Sequence, residues 1–363
     1  MNLCLILNMA PHYRKGIFEL LDKEFDCHFI CGDKTDGIKP LDMSFINGSY
    51  EQVKRFSLPG HLIWQRGGLR AIGKNYDSYI ITGDYRDLSA WMVLVFGKLT
   101  RRKVYLWSHG WYGRESGIKK WIKKRFSHLS SGEFVYGDHA KAVMLTNGYS
   151  PDKVFVIHNS LDYSVQLKAR GELKSTSIYS DHFKNDNKTI LFIGRLTEVK
   201  RLDMLVDAID ILTENHEFYN LVLVGDGNMR AKLESLVESY NLTNVWFVGA
   251  VYDESKKAEL IYNADLCVSP GNVGLTAIDS MMFGTPVATH NVFEDQMPEY
   301  ETIKQGVTGF YFGKNKQSVA EGISSWFASY KDREEIRKAC YEEIDRNWTP
   351  RYQLSVIKKA LIN

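Results

Sequence analysis

Short β-rich runs alternate with helical stretches along most of the 363-residue chain. In the first half, the runs LCLILN, CHFICG, YDSYIITGD and KVYLWSHG are separated by the helical stretches IFELLDKEF and SAWMVLVFGKLT. Two parallel strands must be joined by a crossover of a dozen or more residues, which is usually a helix. The alternation therefore predicts a doubly wound parallel sheet.

A second series of the same kind begins after residue 185. Its strands TILFIGR, NLVLVGDG, VWFVGA and DLCVSP alternate with predicted helices at 202–212, 229–240 and 254–263. The chain is long enough for two domains, so we expect an N-terminal Rossmann-like domain at 1–163 and a second one at 188–347. The polar stretch 164–187 is predicted to be a linker with one helix. The amphipathic segment 348–363 is predicted to be a helix that packs back on the first domain.

Composition favours a globular protein of a reducing compartment. Basic and acidic side chains number 46 and 44, which gives no global charge to attract nucleic acid. The five cysteines have no CxxC spacing and an odd count, which is typical of reduced thiols. The N-terminal apolar run is short and lacks a basic leader, so we expect a first strand and not a signal peptide. No uncharged apolar run approaches 18 residues, so no segment is predicted to span a membrane.

The segment VSPGNVGLTAIDSMMFGTPV, residues 268–287, is typical of a strand, a glycine-rich turn and a helix. Gly271 and Gly274 would let the backbone approach a phosphate closely. Asp279, the one charged residue of the helix, is positioned to accept hydrogen bonds from a ribose diol. Taken alone, the segment is more typical of an ordinary buried strand, turn and helix.

Three other turns follow predicted strands of the second series, where open α/β sheets bind ligands. FIGRLTEVK places Gly194, Arg195 and Lys200 after a strand, and a guanidinium with an ammonium suits a diphosphate. Ordinary surface charges are the alternative interpretation of these two cations. VGDGNMRAKLE adds a glycine turn. The loop around Val251, after VWFVGA, is a candidate surface for a nucleotide base.

The ordered set of these motifs resembles the retaining glycosyltransferases of family four, also called glycosyl transferases group 1. The similarity extends over residues 155–313 and includes VIHNSLD, GLTAIDSMMFGTPV and GVTGFYF. It implies a GT-B fold, in which two Rossmann-like domains face a central cleft, and a nucleoside diphosphate sugar donor bound by the second domain. In that family, the cations matching Arg195 and Lys200 contact the donor diphosphate, and the carboxylate matching Asp279 binds the ribose. The resemblance implies a donor site formed by Gly194, Val251, Gly271, Asn272, Val273, Gly274, Leu275, Thr276 and Asp279.

The chain departs from the family pattern at several places, among them Asp279 for the second glutamate and Arg201 for the glycine after the phosphate-binding lysine. The first of two glutamates separated by seven residues is replaced by Gly271, so a backbone amide or Asn272 would have to replace the carboxylate beside the donor sugar. The paired glycines of the first N-terminal loop are absent, and the loop reads NMAPHYRKG. Its residues Asn8, His12, Arg14 and Gly16 are predicted to lie on the acceptor side.

Two further residues of the first domain end predicted strands. His109 in YLWSHGWYGRESG corresponds to a family histidine near the donor sugar and leaving phosphate, where an imidazole can hydrogen-bond a sugar hydroxyl. Together with Arg195 and Lys200, it forms the predicted catalytic set. Asp84 in YIITGDYRDLS is a candidate to orient the acceptor hydroxyl. An N-cap of the helix near Leu88 is an equally good role for Asp84.

The run GIKKWIKKRF, residues 117–126, places apolar and basic residues at helical spacing. This pattern is typical of a helix that lies on an anionic membrane surface. A core-facing helix with a solvated basic face has the same pattern.

The sequence predicts a retaining, hexosyltransferase-type enzyme that moves a sugar from a nucleoside diphosphate sugar to a glycan acceptor, lipid-linked, in surface polysaccharide or O-antigen synthesis. The predicted location is cytoplasmic, peripheral at the inner face of the membrane. No metal and no cofactor are expected, because Arg195, Lys200 and helix N-termini would neutralise the leaving diphosphate. A sugar-nucleotide 2-epimerase and a non-catalytic nucleotide-sugar-binding subunit are the alternatives that remain.

Overall fold

The computed structural model describes residues 1–34, 39–329 and 332–362. It divides into two compact units, each of α/β architecture. The first unit comprises Met1–Asp162 and Trp348–Asn363, and the second comprises Tyr163–Asn347.

Most strands of each unit form a parallel sheet. Those of the first unit are β1 (Asn2–Leu7), β2 (Asp26–Gly32), β3 (Ser49–Val53), β4 (Arg55–Leu58), β5 (Leu62–Gln65), β6 (Ser78–Thr82), β7 (Lys103–Trp107), β8 (Gly132–Val135) and β9 (Val154–Val156). Those of the second unit are β10 (Thr189–Ile193), β11 (Asn220–Val224), β12 (Val245–Gly249), β13 (Leu266–Ser269), β14 (Val287–His290) and β15 (Gly309–Phe312). In the described residues, the two sheets have the orders β3-β2-β1-β6-β7-β8-β9 and β12-β11-β10-β13-β14-β15, and β4 and β5 form a separate antiparallel hairpin.

Helices connect the strands of both sheets. The helices that precede the second sheet are α1 (Lys15–Glu24), α2 (Gly68–Ile72), α3 (Leu88–Thr100), α4 (Gly117–Leu129), α5 (Asp138–Thr146), α6 (Tyr163–Glu172) and α7 (Ile178–Phe183). Those that follow are α8 (Leu202–Glu214), α9 (Arg230–Ser239), α10 (Glu254–Asn263), α11 (Thr276–Met282), α12 (Lys316–Ala328), α13 (Arg333–Asn347) and α14 (Pro350–Ile362).

The inner strands are mostly apolar because helices cover both faces of each parallel sheet. In β10, every residue from Thr189 to Ile193 is buried, and β11 is buried throughout. One apolar cluster of the first unit joins Leu3, Leu5 and Phe29 to α1 and α14, while Cys4, Ile6 and Ile30 pack on the opposite face with α3. The alternation of strand-like and helical runs in the sequence is a consequence of this layering.

Helix α14 completes the first unit. It packs on α1, and the Tyr105 hydroxyl in β7 donates a 2.6 Å hydrogen bond to the carbonyl of Ala360. A Cβ atom on Gly16 would lie 2.9 Å from Cγ of Pro350, so the small residue at this position allows α14 to approach α1.

The stretch 164–187 contains more structure than the sequence predicts. It forms α6 and α7, which both pack on α10, where one helix was expected. The buried side chains that anchor the two helices are few and scattered, such as Gln166 in α6 and Tyr179 in α7. No long apolar period therefore marks these helices in the sequence.

Candidate functional site

The second sheet reverses its strand order between β10 and β13, and the predicted donor residues gather at the carboxyl ends of these two strands. Gly194 directly follows β10, and Gly271 follows β13. Open α/β sheets bind their ligands at such a switch point. The Thr276 hydroxyl donates to the carbonyl of Ile193 at 2.8 Å, which ties the start of α11 to the end of β10.

Lys200 spans the gap between the two strand ends. Its Nζ donates to the carbonyl oxygen of Asn272 at 2.7 Å and to Oδ1 of the same residue at 2.9 Å. Burial lowers the pKa of Lys200 to about 8; the charge of Arg195 acts in the same direction and that of Glu299 opposes it. Lys200 is therefore an ammonium group near neutral pH whose charge is poorly solvated, and it is held by neutral oxygens.

Gly271 has a steric reason to lack a side chain. A Cβ atom there would lie 1.9 Å from the carbonyl oxygen of Val199 and 2.7 Å from the Cα and C atoms of Lys200. Its amide donates to the carbonyl of Lys200 at 2.9 Å. The backbone that carries Lys200 thus occupies the space that a glutamate would need. Asn272, which was proposed to replace this acid, is hydrogen-bonded to Lys200.

The loop between Gly271 and α11 is fixed by residues that sequence reasoning missed. The amide of Val273 donates to Oε1 of Gln296 at 3.0 Å, and Nε2 of Gln296 donates to Thr289 Oγ1 and the His290 carbonyl. Gly274 has a φ of 56°, a left-handed conformation that glycine adopts without strain. Leu275 follows it as the N-cap of α11. A lone buried glutamine has no sequence signal that would reveal this role.

Asp279 lies on α11, and one of its two carboxylate oxygens is hydrogen-bonded. Its Oδ1 accepts hydrogen bonds from Gln166 Nε2 at 2.6 Å and from Lys257 Nζ at 3.0 Å. In the described part of the chain, its side-chain contacts are all made by Oδ1 and none by Oδ2, and the side chain is 20% exposed. This oxygen remains available to a ligand. Gln166 comes from the stretch that was predicted to be a linker, so its contact was not foreseen.

The other two predicted donor residues are more peripheral. Arg195 is exposed, and its positive charge contributes to the lowered pKa of Lys200. Val251 follows β12, the edge strand two positions away from β10, and is half-buried. The structure therefore brings Arg195 near Lys200 but does not place Val251 beside it.

The first unit contains a cavity of about 500 Å³. It lies at the carboxyl ends of β1, β6 and β7, where the order of the first sheet reverses between β1 and β6. The predicted residues that line it are Asn8, Arg14, Asp84 and His109. His12 is exposed and bonded to the Lys39 carbonyl, and Gly16 packs on Pro350, so neither belongs to the cavity lining.

His109 faces this cavity as a neutral imidazole. Burial, together with the charges of Arg14 and Lys123, lowers the pKa of His109 to about 4. Its ring lies edge-on to Tyr136 at 5.0 Å between centroids, and among the described residues Nδ1 has no hydrogen-bond partner. A neutral histidine with a free ring nitrogen can hydrogen-bond a sugar hydroxyl without carrying charge.

The loop that carries His109 is held from both sides. Oγ of Ser108 donates to the buried Glu133 at 2.6 Å and accepts from the amide of Gly110 at 2.7 Å. From α4, Lys123 Nζ donates to the Gly110 carbonyl at 2.9 Å and to Glu115 at 2.7 Å. The sequence pattern counts Lys123 only among the basic residues of the run GIKKWIKKRF, whereas its side chain points towards the His109 loop.

Asp84 is paired with two arginines. It accepts two 2.9 Å hydrogen bonds from the Arg86 guanidinium and lies 3.5 Å from Nη2 of Arg55. Burial opposes ionisation, but these hydrogen bonds and charges hold the pKa of Asp84 below its usual range. The N-cap of α3 is Asp87, whose carboxylate accepts from the amides of Ser89 and Ala90. The alternative role of Asp84 as the cap is therefore not observed.

The helix predicted at 117–126 presents its apolar residues in two directions. Phe126 is buried and meets Trp91 of α3 edge-on at 5.1 Å. Ile118 and Trp121, in contrast, are 73% and 58% exposed. On the neighbouring α3, Met92, Val95 and Leu99 are also exposed and share one helical face. The core-facing interpretation thus holds for the end of α4, while its beginning leaves apolar side chains in solvent.

The described residues contain no group of three or more His, Cys, Asp or Glu side chains arranged to hold a metal ion. None of the helices in these residues is both long and apolar enough to cross a membrane.

Residues 176–343 match the family model described as glycosyl transferases group 1. An uncharacterized glycosyltransferase of Methanocaldococcus jannaschii is 31% identical over 220 residues, which cover 58% of this chain and 55% of that protein. A GDP-mannose-dependent alpha-(1-6)-phosphatidylinositol dimannoside mannosyltransferase of Mycobacterium tuberculosis is 25% identical over 261 residues, covering 64% and 65%. The aligned stretches span less than two thirds of either relative.

Solved structures with a similar fold align with nearly the whole chain. Anabaena HepE in complex with UDP has a TM-score of 0.72 at 15% identity and 99% coverage of both chains. The apo form of the lipopolysaccharide outer core galactosyltransferase WaaB has a TM-score of 0.70 at 14% identity, covering 100% of this chain and 99% of that one. The predicted fold class, an α/β fold of the GT-B type with two Rossmann-like domains, is confirmed.

Proposed function

We propose that this protein is a retaining glycosyltransferase of the hexosyltransferase type, which transfers a sugar from a nucleoside diphosphate donor to a glycan acceptor. The observation that carries the proposal is the placement of Lys200, whose buried ammonium group lies at the switch point of the second sheet beside the turn from Gly271 to Gly274. The match of residues 176–343 to glycosyl transferases group 1 supports the same reaction class.

The donor would be held at its two ends by residues of the second unit. Lys200 and the exposed Arg195 supply a point-like and a fork-like cation for the diphosphate. The free Oδ2 of Asp279 accepts hydrogen bonds from the ribose diol, while Lys257 and Gln166 hold Oδ1. The neighbour HepE was solved with UDP, which makes UDP the first nucleotide to test.

The proposed transfer needs no protein nucleophile, which fits the missing carboxylate at Gly271. The bond between the anomeric carbon and the phosphate oxygen breaks, and the acceptor oxygen forms its bond on the same face of the sugar. The acceptor proton passes to the departing phosphate, whose charge Lys200 and Arg195 stabilise, so a metal ion is not required. His109 hydrogen-bonds a hydroxyl of the transferred sugar.

The acceptor is proposed to be a lipid-linked glycan of a surface polysaccharide or O-antigen pathway, bound in the cavity of the first unit. Asn8 and Asp84 line this cavity with His109 and supply acceptors for sugar hydroxyls. Two similar proteins act on such molecules by name, a phosphatidylinositol dimannoside mannosyltransferase and a lipopolysaccharide galactosyltransferase.

The exposed faces of α3 and α4 would rest on the membrane that holds such an acceptor. Leu99, Ile118 and Trp121 are the most exposed apolar residues of this surface, and neither helix contains an acidic residue. Four cations of α4, Lys119, Lys120, Lys124 and Arg125, would attract anionic lipids. The five cysteines are free and buried, which fits the reducing cytoplasmic side of the membrane.

Calorimetric titration with UDP, GDP, ADP and CMP tests the donor site. Lys200→Ala and Arg195→Ala should each weaken binding of the preferred diphosphate by about 1–3 kcal/mol, the range for a charge-assisted contact. Lys232→Ala, at an exposed position on α9, is the matched control. Unchanged affinity in both site variants would remove the two cations from the site. Tight donor binding with neither transfer nor slow donor hydrolysis would show a non-catalytic subunit.

Vesicle sedimentation tests the membrane surface. Protein should sediment with vesicles that contain phosphatidylglycerol and remain in solution with pure phosphatidylcholine. Trp121→Glu should reduce this binding, whereas Tyr252→Glu, at a 93% exposed aromatic of the second unit, should not. Equal sedimentation of the two variants would contradict the assignment.

A further inference from the structure

Arg14 occupies an unusual position in the cavity of the first unit. It lies just before α1, and its guanidinium is stacked over the Trp107 ring at 4.9 Å from the ring centroid. Nη2 donates to the hydroxyl of Tyr136. Nε is buried and has no hydrogen-bond partner among the described residues. The side chain is thus positioned by two aromatic rings, with part of its donor capacity unused.

The other cations near this cavity have carboxylate partners. Arg86 and Arg55 share Asp84, and Lys123 is paired with Glu115 at 2.7 Å. Arg14, in contrast, forms no ion pair in the part of the chain that the structure describes. A guanidinium cannot lose its proton, so its charge persists in this partly desolvated place.

Leaving a charge partly buried without a counter-ion is costly, and proteins usually avoid it. The nearby carboxyl groups do not relieve this cost. Asp84 is engaged by two arginines, and Glu133 is hydrogen-bonded to Ser108. A carboxylate or a phosphoryl group can accept two parallel hydrogen bonds from a guanidinium and would supply the missing charge.

We propose that Arg14 binds an oxyanion of the acceptor, either the carboxylate of an acidic sugar or a phosphoryl group, inside this cavity. This inference rests on the proposed function, since it assigns a chemical class to the acceptor of the transfer. A volume of about 500 Å³ accommodates a ligand of one or two sugar rings. Trp107, Tyr13, Tyr85 and Tyr112 line the cavity and offer flat apolar surfaces to those rings.

The donor diphosphate is a less suitable occupant of this position. Lys200 and Arg195 already provide cations for it in the second unit, and every residue of the cavity lining belongs to the first unit. His109 does not compete for the anion, because burial and the neighbouring cations keep the imidazole neutral above about pH 4. Arg14 is therefore the cavity's unpaired positive charge among the described residues.

Titration of the full chain with small probes tests the inference. Methyl glucuronide, methyl glucoside and inorganic phosphate are followed separately by ligand-observed NMR or calorimetry. We expect wild-type protein to bind glucuronide or phosphate about tenfold or more tightly than glucoside, as for a charge-assisted contact. A glucuronide preference indicates a sugar carboxylate, and a phosphate preference indicates a phosphoryl group. Equal affinity for the three probes, or no binding of either anion at millimolar concentration, would overturn the inference.

Substitutions of Arg14 test whether this residue binds the anion. Arg14→Gln should abolish the preference for the anion and leave glucoside binding unchanged, while Arg14→Lys should retain part of it because the fork geometry is lost. Arg351→Gln, at an exposed arginine of α14, is the control. A preference that survives in Arg14→Gln would refute the role, and so would an equal loss of UDP affinity, which would assign Arg14 to the donor. The comparison of charged and uncharged probes on wild-type protein does not depend on how well the variants fold.

The two proposals fail in different ways. If UDP does not bind, or if Lys200→Ala leaves its affinity unchanged, the proposed donor site is wrong whatever Arg14 does. If UDP binds and Lys200→Ala weakens it while the anionic probes show no preference, only the assignment of Arg14 is wrong.

Discussion

Gly271→Ala tests whether the close contact between two backbones determines both the stability and the donor site of the second unit. The new Cβ atom would lie 1.9 Å from the Val199 carbonyl oxygen and 2.7 Å from the Cα of Lys200. Because both neighbours are backbone atoms, no side-chain rotation relieves the clash. The φ of Gly271 is not in the left-handed region, so the substitution tests this contact and not conformational freedom.

Overpacking of this kind costs about 1–3 kcal/mol. For a unit of this size, such a loss lowers the melting temperature by about 2–12 °C. The displaced Val199–Lys200 backbone would also move Nζ of Lys200 away from Asn272, to which it is now bonded at 2.7 Å and 2.9 Å. Loss of one charge-assisted contact to the diphosphate would weaken UDP binding by about ten- to a hundredfold.

Thermal unfolding and calorimetric titration with UDP measure the two effects. Gly171→Ala, in α6, is the control, because a Cβ atom there meets nothing within 4 Å. Alanine is the better helix former, so this control should unfold at the wild-type temperature or slightly above it. A Gly271→Ala protein with wild-type melting temperature and wild-type UDP affinity would refute the reasoning. Faster sugar transfer by Gly271→Glu would refute it as well, since that variant adds the acid of the family pattern.

Three further predictions concern charged groups. UDP affinity should fall as the pH rises through about 8, because the pKa of Lys200 is lowered to about 8 and its ammonium form binds the diphosphate. The fall should be at most about tenfold per pH unit. Calorimetric titration from pH 7 to 9.5 should show this fall for wild type and a constant affinity for Lys200→Met. Asp279→Asn should weaken UDP binding but leave pyrophosphate binding unchanged, and Lys257→Met should do the same more mildly, as two parallel titrations would show. The pKa of His109 is lowered to about 4 in the folded protein, so below pH 6.5 its imidazole is protonated in the unfolded chain before it is protonated in the folded one. As the pH falls from 6.5 to 4.5, wild type should therefore lose up to about 1.4 kcal/mol of stability per pH unit relative to His109→Gln, as measured by urea unfolding. A stability difference that is independent of pH would show that His109 is not buried as a neutral group.

Much of the fold is predictable because parallel sheets covered on both faces require continuous apolar strands and long helical crossovers. β10, α8, β11, α9, β12, α10 and β13 all lie where the pattern of residues 188–270 predicts them. The strands β3 to β5, in contrast, were not foreseen. Their residues are largely exposed, and the hairpin of β4 and β5 lies outside the main sheet, so these strands lack the apolar pattern that buried strands have.

The local motifs of the candidate sites were recognisable in the sequence, but the distant residues that hydrogen-bond to them were not. Lys200, Gly274 and Asp279 stand in turns and helices whose type follows from nearby residues. Gln166 and Gln296 reach the same loops from positions 113 and 23 residues away from their partners. Contacts over such separations depend on how strands and helices are stacked, and no local pattern records them.

The sequence by itself determined that the chain forms two parallel α/β sheets and that cations follow the first strand of the second one, because secondary structure depends on the periodicity of nearby residues. Only the tertiary structure decided why residue 271 is glycine, that Asp84 lies beside Arg55, and that Arg14 is left without a carboxylate partner among the described residues. Each of these depends on which atoms share a space of a few ångströms, and packing brings together residues that the chain keeps far apart.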